Sequence, residues 1–246
     1  LACAPTDGDS TIEEQGRGTP APEVCSEPVP TIGGHGIGIL HNAGLAMLKR
    51  KIASGDLRFG DDLSGNMAIA SGALVTWLCE MNIDCDKVNE VGAEVTAEMV
   101  NIADSVERGG SFVDALSARM INIGNGLPDW FLPTLTTFRT GRATGSAEIK
   151  SNIGKMGQDQ GCYDGGDYGR IMRSVAAASM AFWSIETEAN GGGDGGGGAD
   201  RDWIFADCAG AGAGAAMGSG LPPAGPIVGG VLGGVLASGA AAGWFD

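Results

Sequence analysis

Through the middle of the chain, apolar residues recur at three- and four-residue steps, the period of an amphipathic helix. From His41 to Ser54, Leu45, Leu48 and Ile52 fall on one face beside the small residues Ala43, Gly44 and Ala46. The stretch closes on Lys49-Arg50-Lys51, and basic residues suit a helix C-terminus. A second helix is predicted from Asn66 to Glu80. It is apolar on most sides (Met67, Ile69, Leu74, Val75, Trp77, Leu78), which marks a buried central element.

A third helix, Asp86 to Arg108, places Val88, Val91, Val95, Ile102 and Val106 on one side and Glu90, Glu94 and Glu98 on the other. Ser111 followed by Asp114 reads as a capping box for a fourth helix through Ile123, which Gly124, Gly126 and Pro128 then stop. Residues 127 to 146 read as a loop with an aromatic anchor at Trp130 and Phe131, and a short helix follows from Glu148 to Met156. A long helix, Tyr168 to Ala189, carries Ile171, Val175, Ala178, Phe182 and Trp183. No two-residue alternation of useful length interrupts this series, so the fold class is all-α and the middle of the chain reads as a helical bundle.

The C-terminal quarter has a different pattern. No charged residue occurs between Asp207 and Asp246, and the glycines recur at four-residue spacing: Gly210, Gly214 and Gly218; Gly225, Gly229 and Gly233; Gly239 and Gly243. Residues four apart share a helix face, so each row is a flat strip that another helix backbone can approach closely. Leu221-Pro222-Pro223-Ala224-Gly225-Pro226 breaks and reverses the chain, which predicts a glycine-zipper helical hairpin. Glycine costs about 1 kcal/mol relative to alanine inside a helix, so these helices form only when packed.

Residues 1–33 hold five of the ten prolines and predict an extended arm. Residues 34–190 form the helical domain, 191–202 a glycine-rich linker, and 203–246 the hairpin. The chain has 44 glycines in 246 residues without a Gly-X-Y period, and 43% of its residues are apolar. Collagen and general disorder are thereby excluded.

Fifteen basic residues against thirty acidic ones leave a net charge of −15, which repels a phosphate backbone and excludes nucleic acid as a partner. Cys3, Cys25, Cys79, Cys85, Cys162 and Cys208 are an even set without a C-x-x-C pair. They predict an oxidising compartment and up to three disulfides, with Cys79 and Cys85 placed to staple the turn between two helices. Leu1-Ala2-Cys3 resembles the end of a bacterial lipoprotein signal, but the chain begins before that cysteine, so lipidation at Cys3 is not the expectation.

The two histidines, His35 and His41, are six apart and do not share a helix face, so a joint metal site is not expected. The glycines around His35 lack the preceding strand and the lysine of a phosphate loop. Asp7-Gly8-Asp9, Asp164-Gly165-Gly166-Asp167 and Asp200-Arg201-Asp202 resemble fragments of calcium loops, but none completes the spacing. The acidic row on the third helix reads as a solvated face. No catalytic residues, metal ligands or cofactor are assigned, and the chain reads as non-enzymatic.

The phrase Ile37-Gly38-Ile39-Leu40-His41-Asn42-Ala43-Gly44-Leu45, with the glycine-rich tail, resembles a loose group of uncharacterised secreted bacterial proteins. What the resemblance implies is an envelope or extracellular setting. Together these features predict an exported structural protein that self-assembles, a homo-oligomer or polymer in a filament or surface layer packed through its arm and its glycine rows. The alternative is a membrane-active protein, bacteriocin-like or pore-forming, that inserts its tail.

Overall fold

The computed structural model describes residues 31–32, 35–81, 83–106, 110–123, 135–136, 171, 174–179, 181–183, 199–222 and 224–245. These residues are 84% helical, and the fold is all-α. Thr31–Ile32 (β1) and His35–Gly36 (β2) form a two-residue antiparallel pairing, with Ile32 opposite His35. The remaining elements are α1 (Ile37–Ser54), α2 (Leu63–Glu80), α3 (Cys85–Asp104), α4 (Phe112–Ile123), α5 (Ala199–Met217) and α6 (Ala224–Ala241). A single 3-10 turn, Gly218–Gly220, joins the last two helices.

Local chemistry accounts for most helix ends. Asp62 caps α2 by accepting the Gly65 N–H at 3.1 Å, and Asp84 accepts the Lys87 N–H at the start of α3. Gly55 ends α1 in the left-handed region at φ 76°, with Lys51 in the last turn. Pro226 lies in the first turn of α6, where its missing N–H leaves no bond unmade, so α6 starts before it at Ala224. The arm and the linker as read from the sequence fall largely outside the described residues. Helix α5 begins at Ala199, inside the stretch read as linker. The predicted helix over 148–156 also lies outside them, whereas residues 135–136, within the predicted loop, are helical.

The central element is α6, not α2. Residues 225 to 240 are all buried, and α6 touches each of α1, α2, α3, α4 and α5. Around it, α1 turns inward Ile37, Leu40, Leu45 and Leu48, α2 Met67 and Leu74, and α3 Val88, Val91, Val95 and Met99. The pattern of α2 misled because Ile69 stays 45% exposed while Val75 and Trp77 are only partly covered.

A disulfide joins Cys79 at the end of α2 to Cys85 at the start of α3. It closes a loop of only six residues, which limits its effect on the unfolded chain. Replacing both cysteines by serine is expected to lower stability by about 2 kcal/mol, measured as the shift in urea midpoint. Of the six disulfide candidates, Cys208 is a correction: it is a free, fully buried thiol. It sits in the core on α5, and the other two described cysteines are bonded to each other. Cys3, Cys25 and Cys162 lie outside the described residues.

Candidate functional site

The contact between α5 and α6 is built from glycine. Gly210, Gly214 and Gly218 lie opposite Gly233, Gly229 and Gly225, a pairing that makes the two helices antiparallel. A methyl group on Gly210 or Gly214 of α5, or on Gly218 of the 3-10 turn, would overlap the facing carbonyl oxygen. The helices therefore meet backbone to backbone, closer than any pair with side chains between them.

A second row on α6 admits other elements. A methyl on Gly230 would sit 3.0 Å from Ile37 Cδ1 and 3.1 Å from Ile171 Cγ2, and one on Gly234 would sit 3.0 Å from His41 Cδ2. The rows thus face α5 and α1 of the same chain. Gly239 receives the ring of Phe245, which folds back under the helix end. Gly243 does a different job from the packing role read from its spacing. It ends α6 at φ 68°, where its N–H donates to the Ala240 carbonyl and the Trp244 N–H to Gly239.

At one side of this pair the core holds polar groups. His41 on α1 and Asp207 on α5 are both fully buried, with Nε2 3.4 Å from Oδ1. Trp183 Nε1 donates to Asp207 Oδ2 at 3.2 Å. His41 Nδ1 lies 3.1 Å from Asn42 Oδ1, and Asn42 Nδ2 donates to the Ala178 carbonyl at 2.8 Å. Close by, the rings of Trp183, Trp203 and Trp244 cluster, with centroids 4.3 and 5.7 Å apart. Next to Asp207, burial first and the carboxylate second push the Cys208 thiol well up, so it stays neutral.

From the sequence, His41 reads only as a possible metal partner of His35 or as the base of a Cys-His or Ser-His device, and Asp207 stands out only as the start of the uncharged tail. Two signals were present. Asp207 is the last charge before 38 uncharged residues, 208 to 245, and His41 falls on the same face of α1 as Leu40, Leu45 and Leu48.

The surface is plainer. Glu90 and Glu94 are exposed, whereas Glu98 forms a two-pronged ion pair with Arg119 of α4. Arg119 is itself 46% exposed, so Arg119→Ala is expected to shift the urea midpoint by less than about 1 kcal/mol equivalent. Among the described residues no three His, Cys, Asp or Glu side chains cluster in a way that could hold a metal ion. Two of the three calcium-loop fragments lie outside them, and the third is part of the first turn of α5.

Fold and site together define an all-α, disulfide-stapled domain built around a glycine-faced helix pair that is uncharged from residue 208 onward. No family model, curated protein or solved structure matches the chain.

Proposed function

We propose that the chain is an exported, non-enzymatic, membrane-active protein that carries its insertion element, the α5–α6 pair, folded inside a water-soluble shell. The observation that carries this reading is the kind of contact each face of α6 makes. Against α5 it is backbone on backbone, held by close packing that works as well among lipid tails as in water. Against α1, α2 and α3 it is apolar side-chain burial, which lipid tails can replace. The pair can leave its shell without coming apart.

Length and composition agree. Helix α6 is long and apolar enough to cross a membrane. Its 18 residues measure roughly 27 Å at ~1.5 Å each, against a hydrocarbon core of ~30 Å. The uncharged part of α5, residues 208–217, is too short to cross, so α6 spans and α5 enters partway. The disulfide between Cys79 and Cys85 supports export. Self-assembly through the tail would require the same glycine rows to face other copies, and in this fold they are covered by α5 and α1.

Flotation with lipid vesicles tests the reading. Because the net charge is −15, the full chain is expected to float with phosphatidylcholine vesicles and release a trapped dye, and to do so less with anionic vesicles. Protein left at the bottom of the gradient at every pH from neutral to acid overturns the proposal. If that material forms large assemblies in light scattering, the self-assembling structural role takes its place. If it is monomeric, α6 is simply the core of a soluble domain.

A further inference from the structure

The protonation of the buried cluster follows from its hydrogen bonds. Asn42 donates through Nδ2 to the Ala178 carbonyl, so it turns Oδ1, an acceptor, toward His41 Nδ1. Nδ1 must therefore carry the proton. A neutral His41 then presents the lone pair of Nε2 to Asp207 Oδ1, and an ionised Asp207 presents a second lone pair across the same 3.4 Å. Two acceptors facing each other in a site closed to water repel. One further proton, on either atom, turns the contact into an attraction.

Among the described residues, the elements packed around the pair place no other charge beside it: on α4, which packs against α5, Asp114 and Arg119 are exposed, and Glu98 of α3 is paired with Arg119. Helix α6 has no titratable residue, and the described residues between 171 and 183 are apolar or hydroxyl-bearing. On α1, Lys49, Arg50 and Lys51 lie at the far end, with Lys49 and Arg50 exposed and Lys51 half-buried. On α5, Cys208 is a neutral thiol, and the charges besides Asp207 are Asp200, Arg201 and Asp202 in the first turn, more than one turn away, with Asp202 half-buried. His41 and Asp207 together are neutral only when they hold one shared proton beyond the one on Nδ1. A second such proton leaves an unpaired imidazolium in the core, and loss of the first leaves an unpaired carboxylate. Either strongly destabilises a buried site.

We propose that the His41–Asp207 contact is a one-proton latch that holds α5 and α6 in the shell and opens when the pair gains or loses a proton. The role of the latch in insertion rests on the membrane-active reading; its effect on stability does not. Asp207 is well placed for this, because it joins α5 to α1 and, through Trp183, to the segment 171–183, one residue before the uncharged stretch begins. Acid is the direction that releases the pair toward a membrane, since it also neutralises surface carboxylates.

Urea unfolding without lipid, scanned from about pH 2 to about pH 9, tests the latch, because the acid-side loss begins below the unfolded aspartate value of about 3.9 and the alkaline loss above the unfolded histidine value of about 6.5. The wild type is compared with His41→Gln/Asp207→Asn, which keeps hydrogen-bonding groups but cannot titrate. Subtracting the two cancels the surface carboxylates. The difference in midpoint is expected to rise to a maximum and fall on both sides, and a difference that is flat with pH overturns the proposal.

A second measurement needs only the wild type. With two histidines in the chain, imidazole nitrogen-15 spectra resolve His41, and a protonated Nδ1 with Nε2 changing in two pH steps is expected. A His41 whose Nδ1 is unprotonated, or which titrates as a free histidine, overturns it. Flotation separates the two proposals: a bell-shaped stability difference in a protein that never floats keeps the latch and removes the membrane.

Discussion

Gly214→Ala lowers stability by about 3 kcal/mol or more, and it does so although alanine is the better helix former. The added methyl has no room. It would overlap the carbonyl oxygen of Gly229, which belongs to the backbone of α6 and is fixed by that helix's own hydrogen bonds. For the overlap to be relieved, α5 must move away from α6, and α6 is the element that every other helix packs against. Gly72→Ala is the control. Gly72 is exposed on α2 with nothing within 4 Å, so there the propensity gain of up to about 1 kcal/mol appears unopposed. Urea midpoints for the two variants are expected to move in opposite directions. A Gly214→Ala protein as stable as the wild type would mean that α5 and α6 do not meet at this face.

Phe245→Ala is expected to cost about 3 to 5 kcal/mol. The ring is fully buried, seated on Gly239, and stands edge-on to Phe59 with centroids 5.4 Å apart. Its carbonyl accepts from Asn66 Nδ2 at 2.7 Å, and the same Asn66 amide holds Gly60 through two further bonds. One residue thus ties the end of α6, the loop before α2 and α2 itself together. Removing the ring leaves a cavity between Gly239 of α6 and the ring of Phe59. Thermal or urea unfolding measures the loss, and a cost below about 1 kcal/mol would show that this end of the chain is not part of the core.

Helix positions were largely legible from periodicity, because α3 and α4 each set apolar residues against a charged or polar face. The start of α1 was not. Gly36, Gly38 and Ile39 argue against a helix by propensity, yet α1 runs from Ile37 because Gly38 lets the segment around Ser174 and Ala178 approach, with its N–H bonded to Ser174 Oγ at 3.1 Å. The four-residue glycine spacing announced a close helix contact but not its partner. A row of glycines has no side chain to name the surface it fits, so α5 and α1 could be identified only from the fold. The His41–Asp207 pair was hidden for a related reason: its two members are distant in sequence and each, taken alone, looks like an isolated polar residue on an apolar face.

Quenching of tryptophan fluorescence by brominated lipids tests most directly whether the α5–α6 pair leaves its shell for a bilayer. In solution Trp183, Trp203 and Trp244 are packed against one another beside the pair, and Trp244 follows the end of α6. If α6 inserts, phosphatidylcholine brominated along its acyl chains quenches the protein's emission in a scan from neutral to acid pH, to a degree that depends on bromine depth and is lost with unbrominated lipid. Emission that stays the same with brominated and unbrominated vesicles, from protein shown to be folded, would contradict the account and leave α6 as the permanent core of a soluble domain.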